Sequence, residues 1–233
     1  NNIIWCITTD KAQNIWLGTD NGISYTDNNN KYTFIPVWEL SNTNDGNMFY
    51  TILKDSKGRY WFGGTDGLLQ TEGTNSIEKS KWFKVGEKNS ELSHNRIRHI
   101  FEDKSNDLWI ATDGSIERYD DKSGKFVHYS IMDSTYTHNS NWAYYISEDN
   151  DNNLWISSCL GGIFVVNKNK LRKCSSGICI ADKNYTTANG LKSMFVKQTV
   201  TDKNGNAWVV MYNTKEVQKI DSESGKIYNY SVC

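Results

Sequence analysis

The residues best suited to chemistry in this chain sit just ahead of a recurring aspartate. Five positions before it stand Trp5, Tyr50, Arg98, Tyr144 and Lys197; seven positions before it stand Ile3, Met48, Arg96, Trp142 and Phe195. Aromatic rings stack on the apolar faces of sugars, and Arg and Lys pair with carboxylate or sulfate groups. On a strand with alternating side chains the two sets share one face, and that face carries no acid. Hydrolysis of a glycosidic bond needs two carboxyl groups held ~5–9.5 Å apart. The pattern therefore points to binding rather than hydrolysis, with Tyr50, Arg98, Trp142, Tyr144 and Lys197 as the expected ligand contacts. Packing between neighbouring sheets is the structural alternative for the same residues. The opposite face, with Ile4, Phe49, Ile97, Ala143 and Val196, is the other choice for the exposed side.

Other reactive side chains form no familiar constellation. Asp149-Asn-Asp151-Asn-Asn153 resembles the opening of a calcium loop but lacks its sixth-position Gly and distal Glu, so a turn is expected and no metal. His94, His99, His128 and His138 have no partner at ligand spacing. There is no Gly-x-Ser-x-Gly elbow and no phosphate loop, so neither a catalytic residue nor a cofactor is expected. The five cysteines, Cys6, Cys159, Cys174, Cys179 and Cys233, lack zinc-site spacing. Cys174 and Cys179 bracket a short loop and are the candidates for a disulfide in an oxidising compartment, against unpaired thiols as the alternative.

The elements that position these residues repeat. Asp10, Asp55, Asp103, Asp149 and Asp202 are each followed, six positions on, by Trp16, Trp61, Trp109, Trp155 and Trp208. The intervals between the Trp residues are 45, 48, 46 and 53 residues. A period in the 40s with strand-like content is the signature of β-propeller blades. Each period reads as four strands. Strand A precedes the Asp; the Asp opens a tight turn, as in Asp55-Ser-Lys-Gly58; strand B carries the Trp; a Gly- or Asp-rich turn leads to a short strand C; and strand D is aromatic. The fourth repeat shows no clear strand D, because its Lys173–Tyr185 stretch is long and holds the cysteine pair; the fifth reads VVMYN where others have Gly-Thr, which leaves its second turn undefined. Asn2, Asn47, Asn95 and Asn141 stand at strand entrances, where they can bond neighbouring backbone. Pro36 is the sole proline. The expected fold is all-β, a propeller of four-stranded antiparallel blades over residues 1–40, 41–88, 89–132, 133–186 and 187–233. The anchor Trp residues are expected to fill the seams between blades, each burying ~150–250 Å² worth at most roughly 4–6 kcal/mol.

Bulk composition excludes several classes. Net charge is −1 and charges of both signs are interspersed, so no footprint for nucleic acid or an anionic membrane surface is present. No apolar run reaches the ~20 residues of a membrane span. Aromatics make up 13% of the 233 residues, as suits short strands that each bury a large ring. The chain begins without Met and is expected to be a piece of a longer protein.

The unit N-x-I-x-x-I-x-E-D, short turn, N-L-W-I-G-T, D-G-I, then Tyr-Asp and an aromatic strand, resembles the two-component regulator propeller repeat. Its best copies are HNRIRHIFEDKSNDLWIATDG from His94 and SNWAYYISEDNDNNLWISS from Ser140, and the resemblance covers essentially the whole chain. It implies the periplasmic sensor region of a hybrid two-component system of the Bacteroidetes, with kinase and membrane span elsewhere, self-association as a dimer, and an oligosaccharide as ligand. Such propellers usually have about seven blades, so these five repeats form either an arc of a larger ring or a five-bladed ring. Two other functions are compatible with the fold: a propeller carbohydrate-active enzyme, a hydrolase or lyase, and a scaffold for dimerisation or peptide binding.

Overall fold

A tight turn that opens on the anchor Asp joins the first two strands of the blades in which it is described. In the computed structural model the hairpin closes with Gly58 N–H donating to the Asp55 carbonyl at 2.9 Å, Asn106 to Asp103 at 2.8 Å and Gly205 to Asp202 at 3.0 Å. The fourth turn position is left-handed in all five blades: Gln13, Gly58, Asn106, Asn152 and Gly205 have φ of 67°, 87°, 63°, 62° and 82°. Gly and Asn tolerate that conformation best, and four of the five copies use them.

The structure describes residues 3–9, 13–26, 31–36, 48–72, 79–86, 92–132, 142–174 and 177–231. Asp10, Asn2, Asn47, Asn141, His138 and Cys233 lie outside them. Among the described residues twenty strands form five four-stranded antiparallel meanders. The first sheet comprises β1 (Ile4–Thr9), β2 (Ile15–Thr19), β3 (Gly22–Thr26) and β4 (Tyr32–Pro36); the second β5 (Phe49–Lys54), β6 (Tyr60–Gly64), β7 (Gly67–Thr71) and β8 (Lys81–Phe83). The third comprises β9 (Ile97–Glu102), β10 (Leu108–Thr112), β11 (Ser115–Asp120) and β12 (Lys125–Tyr129). The fourth is β13 (Ala143–Glu148), β14 (Asn153–Ser158), β15 (Ile163–Asn167) and β16 (Lys183–Tyr185); the fifth is β17 (Val196–Thr201), β18 (Ala207–Met211), β19 (Glu216–Ile220) and β20 (Ile227–Ser231). This is the all-β architecture of repeated four-stranded propeller blades.

Two local expectations are corrected. The fourth sheet does have a fourth strand, three residues long, at Lys183–Tyr185. It was hidden because helix α1 (Lys168–Lys173) intervenes, its N-cap Asn167 accepting from Asn169 N–H. The second turn of the fifth blade also forms without Gly-Thr, because Asn213 takes the left-handed conformation at φ 61°.

The chain divides into two compact units, residues 1–108 with 119–126, and residues 109–118 with 127–233. In the first unit Trp16 packs on Tyr25, Tyr60 and Phe62, with ring centroids 4.9, 4.5 and 5.7 Å apart, in a core shared by Ile23, Phe49 and Leu69. Trp61 meets Tyr119 at 4.9 Å and Phe83 at 6.0 Å, and Phe126 closes that cluster. Close approach of adjacent blades requires a small residue at strand B. A Cβ on Gly63 would meet Ile97 Cγ2 at 2.4 Å, and one on Gly18 would meet the Phe49 carbonyl oxygen at 2.7 Å. In the second unit Trp155 stacks on Tyr185 at 5.7 Å over a core of Ile163, Val165, Val196, Val209 and Ile220. There the small strand-B residue is Ser157, whose Oγ donates to Thr199 Oγ1 at 2.9 Å. Helix α1 is tied to this unit by Leu171 and by Lys168, whose Nζ contacts Glu148 Oε1 at 2.5 Å with both side chains buried.

Candidate functional site on the strand-A entrances

The anchor carboxylates are consumed by structure. Asp149 Oδ1 accepts from the N–H groups of Asp151 and Asn153, each at 2.9 Å, while Oδ2 accepts from Asn153 Nδ2 and Trp155 Nε1, again at 2.9 Å. Asp55 and Asp202 hold Trp61 Nε1 and Trp208 Nε1 in the same way, at 2.8 and 3.0 Å. The six-residue spacing is therefore the reach of one carboxylate from the turn to the indole N–H beyond it. The hydrogen bond from Trp208 is the main cause that holds the Asp202 carboxyl below the usual range. With both oxygens engaged, Asp149 has no lone pair directed at a cation. Among the described residues no group of three or more His, Cys, Asp and Glu converges as a metal site would require.

The strand-A residues behave differently. In four sheets the register slips just inside the strand: between Ile4 and Cys6, Phe49 and Thr51, Ala143 and Tyr145, and Val196 and Gln198. The extra residue in each bulge is Trp5, Tyr50, Tyr144 or Lys197. Simple alternation fails at that point, and a bulge re-aims the side chain it carries. On the opposite face Phe49, Ile97, Ala143 and Val196 are buried, whereas Ile4 of the first blade is 58% exposed.

Four of the five expected contacts fall into two groups. In the first unit Trp5 meets Tyr50 edge-on at 5.3 Å, and the Arg98 guanidinium lies 5.9 Å from the Tyr50 ring. In the second unit Tyr144 contacts Phe195 at 5.5 Å and Tyr212 at 6.0 Å, Phe195 and Tyr212 pack at 4.2 Å, and Lys197 Nζ lies 5.7 Å from the Tyr212 ring. Lys197 is exposed and the three rings are partly exposed. Trp142 makes no ring contact with this group among the described residues, and its buried indole Nε1 has no hydrogen-bond partner among them.

Tyr212 is the contact that sequence reasoning missed. It stands four residues after Trp208, and its N–H donates to the Phe195 carbonyl at 3.0 Å. Thr65 to Met48 and Cys159 to Trp142 make the same bond at 3.1 and 3.0 Å, so the residue four after each anchor Trp is placed beside the strand-A entrance. The signal was available: VVMYN, where other copies read Gly-Thr, is the departure that brings a ring to this position. The equivalent positions in the first and third blades are Asp20 and Asp113, so acids do occur at this level of the repeat.

Two cavities accompany the second unit. One of about 270 Å³ lies among the hairpin residues Asp149, Asp151, Tyr185, Asn204 and Ser222. The other, about 700 Å³, is walled by α1 and the segment after it, with Lys170, Lys173, Cys174, Ile178, Cys179 and Ile180. Cys174 Sγ donates to the carbonyl of Ile178, the residue before Cys179, at 3.2 Å. No described helix is long and apolar enough to cross a membrane.

Comparison with known proteins gives these features a family. The two-component regulator propeller pattern matches residues 1–21, 40–66 and 91–114. No curated protein matches the chain. Among solved structures, the extracellular domain of BT4673 from B. thetaiotaomicron, described as a one-component and as a hybrid two-component system, is 50% identical with a TM-score of 0.80; the match covers 99% of this chain and 31% of that one. The chain thus spans about a third of the length of that relative. The extracellular domain of the hybrid two-component system BT3049 from B. thetaiotaomicron is 21% identical over 99% of this chain and 27% of that one, with a TM-score of 0.64. Virginiamycin B lyase from Staphylococcus aureus, 17% identical over 98% of this chain and 70% of the enzyme with a TM-score of 0.70, shares the fold alone. The recurring Asp-to-Trp unit of this chain is the two-component regulator propeller repeat, in a setting similar to the extracellular domains of Bacteroides hybrid two-component systems.

Proposed function

We propose that this chain is part of the periplasmic sensor region of a hybrid two-component signalling protein, that it binds an oligosaccharide at the strand-A entrances, and that it catalyses no reaction itself. The observation that carries the reading is the cluster of Tyr144, Phe195 and Tyr212 with Lys197 at its edge. Three partly exposed rings offer stacking surfaces for pyranose faces, and an adjacent ammonium favours an acidic or sulfated sugar. The similarity at 50% identity to an extracellular domain of a signalling system supports a sensing role over a metabolic one. Ligand binding would act by favouring one arrangement of a dimeric sensor over another, which requires a difference in affinity between the two states. The hydrolase or lyase reading rests on matches that share only the fold.

Calorimetric titration with matched neutral and acidic oligosaccharides tests this. Tyr212→Ala and Lys197→Ala should each weaken binding, Lys197→Ala selectively for the acidic series, by roughly tenfold for a loss of about 1.4 kcal/mol. Unchanged affinity in both variants removes the site, and cleavage of the sugar during titration removes the non-catalytic reading.

A further inference from the structure

The stretch between α1 and β16 is an insertion that interrupts the regular meander of the fourth blade, and it is built around two sulfurs. Cys174 caps the C-terminus of α1, its N–H donating to the Leu171 carbonyl at 3.0 Å. Helix α1 is itself fixed, through buried Leu171 and the buried Lys168–Glu148 pair. Cys179 lies on the opposite strand of the loop, which is clamped to the residues after β12. Ser130 N–H donates to the Gly177 carbonyl at 2.7 Å, Cys179 N–H to the Ser130 carbonyl at 2.7 Å, and Ala181 N–H to the Ile131 carbonyl at 2.9 Å. Gly177 supplies the turn with φ 73°. Two anchored backbones thus bring the two thiols close: Cys174 Sγ donates to the carbonyl of Ile178, the residue before Cys179, at 3.2 Å, and both cysteines line the same cavity.

We propose that Cys174 and Cys179 are a modification site: they close an intramolecular disulfide by exchange with a protein or small-molecule disulfide, pinning α1 to the clamped segment and fixing one wall of the 700 Å³ cavity. The Cys174 thiol is the more accessible, and Cys179 is buried. The Cys174 thiolate attacks the donor disulfide, forming a mixed disulfide and releasing one donor thiol. Cys179 gives up its proton and attacks the Cys174 sulfur, releasing the second donor thiol; two electrons and two protons end on the donor, which is reduced as the pair is oxidised. Burial, and then the hydrogen bond with Cys174, raise Cys179 to about 11, which suits it to the second, intramolecular step rather than to first attack. The other described cysteines do not compete. Cys159 is buried, and Cys6 is held by burial at about 12 with its Sγ on the Phe49 carbonyl at 3.5 Å.

Peptide mapping decides it. The full chain is incubated with oxidised glutathione, then denatured, alkylated and cut with trypsin. Both cysteines fall on one fragment, 174–183, which should resist alkylation, be lighter by its two thiol hydrogens and recover both alkylation sites after reduction. The oxidised chain should melt about 5 °C above the reduced one, a difference abolished in Cys174→Ser and Cys179→Ser while their reduced forms melt with the reduced parent. Full alkylation of both residues after oxidation, a stable glutathione adduct on Cys174, or a bond from either to another cysteine would overturn the proposal.

Discussion

At the scale of single residues, the chain separates side chains that serve the fold from side chains left available. The Asp–Trp pair belongs to the first kind: one carboxylate satisfies two turn N–H groups and an indole N–H, which would otherwise be buried without partners. His99 also belongs to it. It occupies the strand-A position filled by Thr51 and Tyr145 in adjacent blades, and burial pushes its imidazole down to about 3. Its folded value lies below the ordinary ~6.5, so between these values the unfolded chain binds the extra proton. Stability from this residue is therefore complete above about pH 6.5 and is lost as pH falls toward 3, by up to roughly 2 kcal/mol at pH 5. His99→Leu should flatten the melting temperature between pH 7 and pH 5; an unchanged slope would show that the imidazole is protonated in the native state.

At the scale of elements, blade contacts depend on a position where sequence and packing agree closely. Gly18, Gly63, Ala111 and Ser157 stand two residues after the Trp in the first four blades, and Val210 stands there in the fifth. Gly63→Val should cost about 1–3 kcal/mol or more by driving a side chain into Ile97, read as a lower urea midpoint with unchanged slope. Val210→Gly should cost less than that from packing, because Val210 is 41% exposed. A Gly63→Val variant as stable as the parent would mean that the second and third blades separate more readily than this seam indicates. The strand-A bulges are the other device at this scale. In four blades they place one residue out of alternation, so an alternating template could not tell which of these side chains would meet.

For the molecule as a whole, the first blade differs from the second and third. Ile4 is 58% and Ile7 67% exposed, whereas Phe49, Ile97 and Ile100 at the equivalent positions are buried. Contiguous apolar surface of this kind marks a place where something packs. The isolated chain should therefore bind a hydrophobic dye or self-associate, and Ile7→Lys should suppress that several-fold at a cost under about 0.5 kcal/mol in stability. A large loss of stability in Ile7→Lys would show instead that β1 is already covered.

The period of the Asp and Trp residues determined the fold from the sequence alone, because each blade must repeat the same turn and the same buried ring, and repetition is visible in one dimension. Strand A was equally legible as the place where copies differ. What only the tertiary structure decided was contact. Tyr212 reaches Tyr144 and Phe195 through a backbone bond to a residue 17 positions away in sequence, and Trp5, Tyr50 and Arg98 come from three different blades. Helix α1 and the three-residue strand after it were hidden because an insertion breaks the period on which the reading depended. Local pattern specifies what each segment becomes; which side chains meet is fixed by bulges, turns and seams that act between segments.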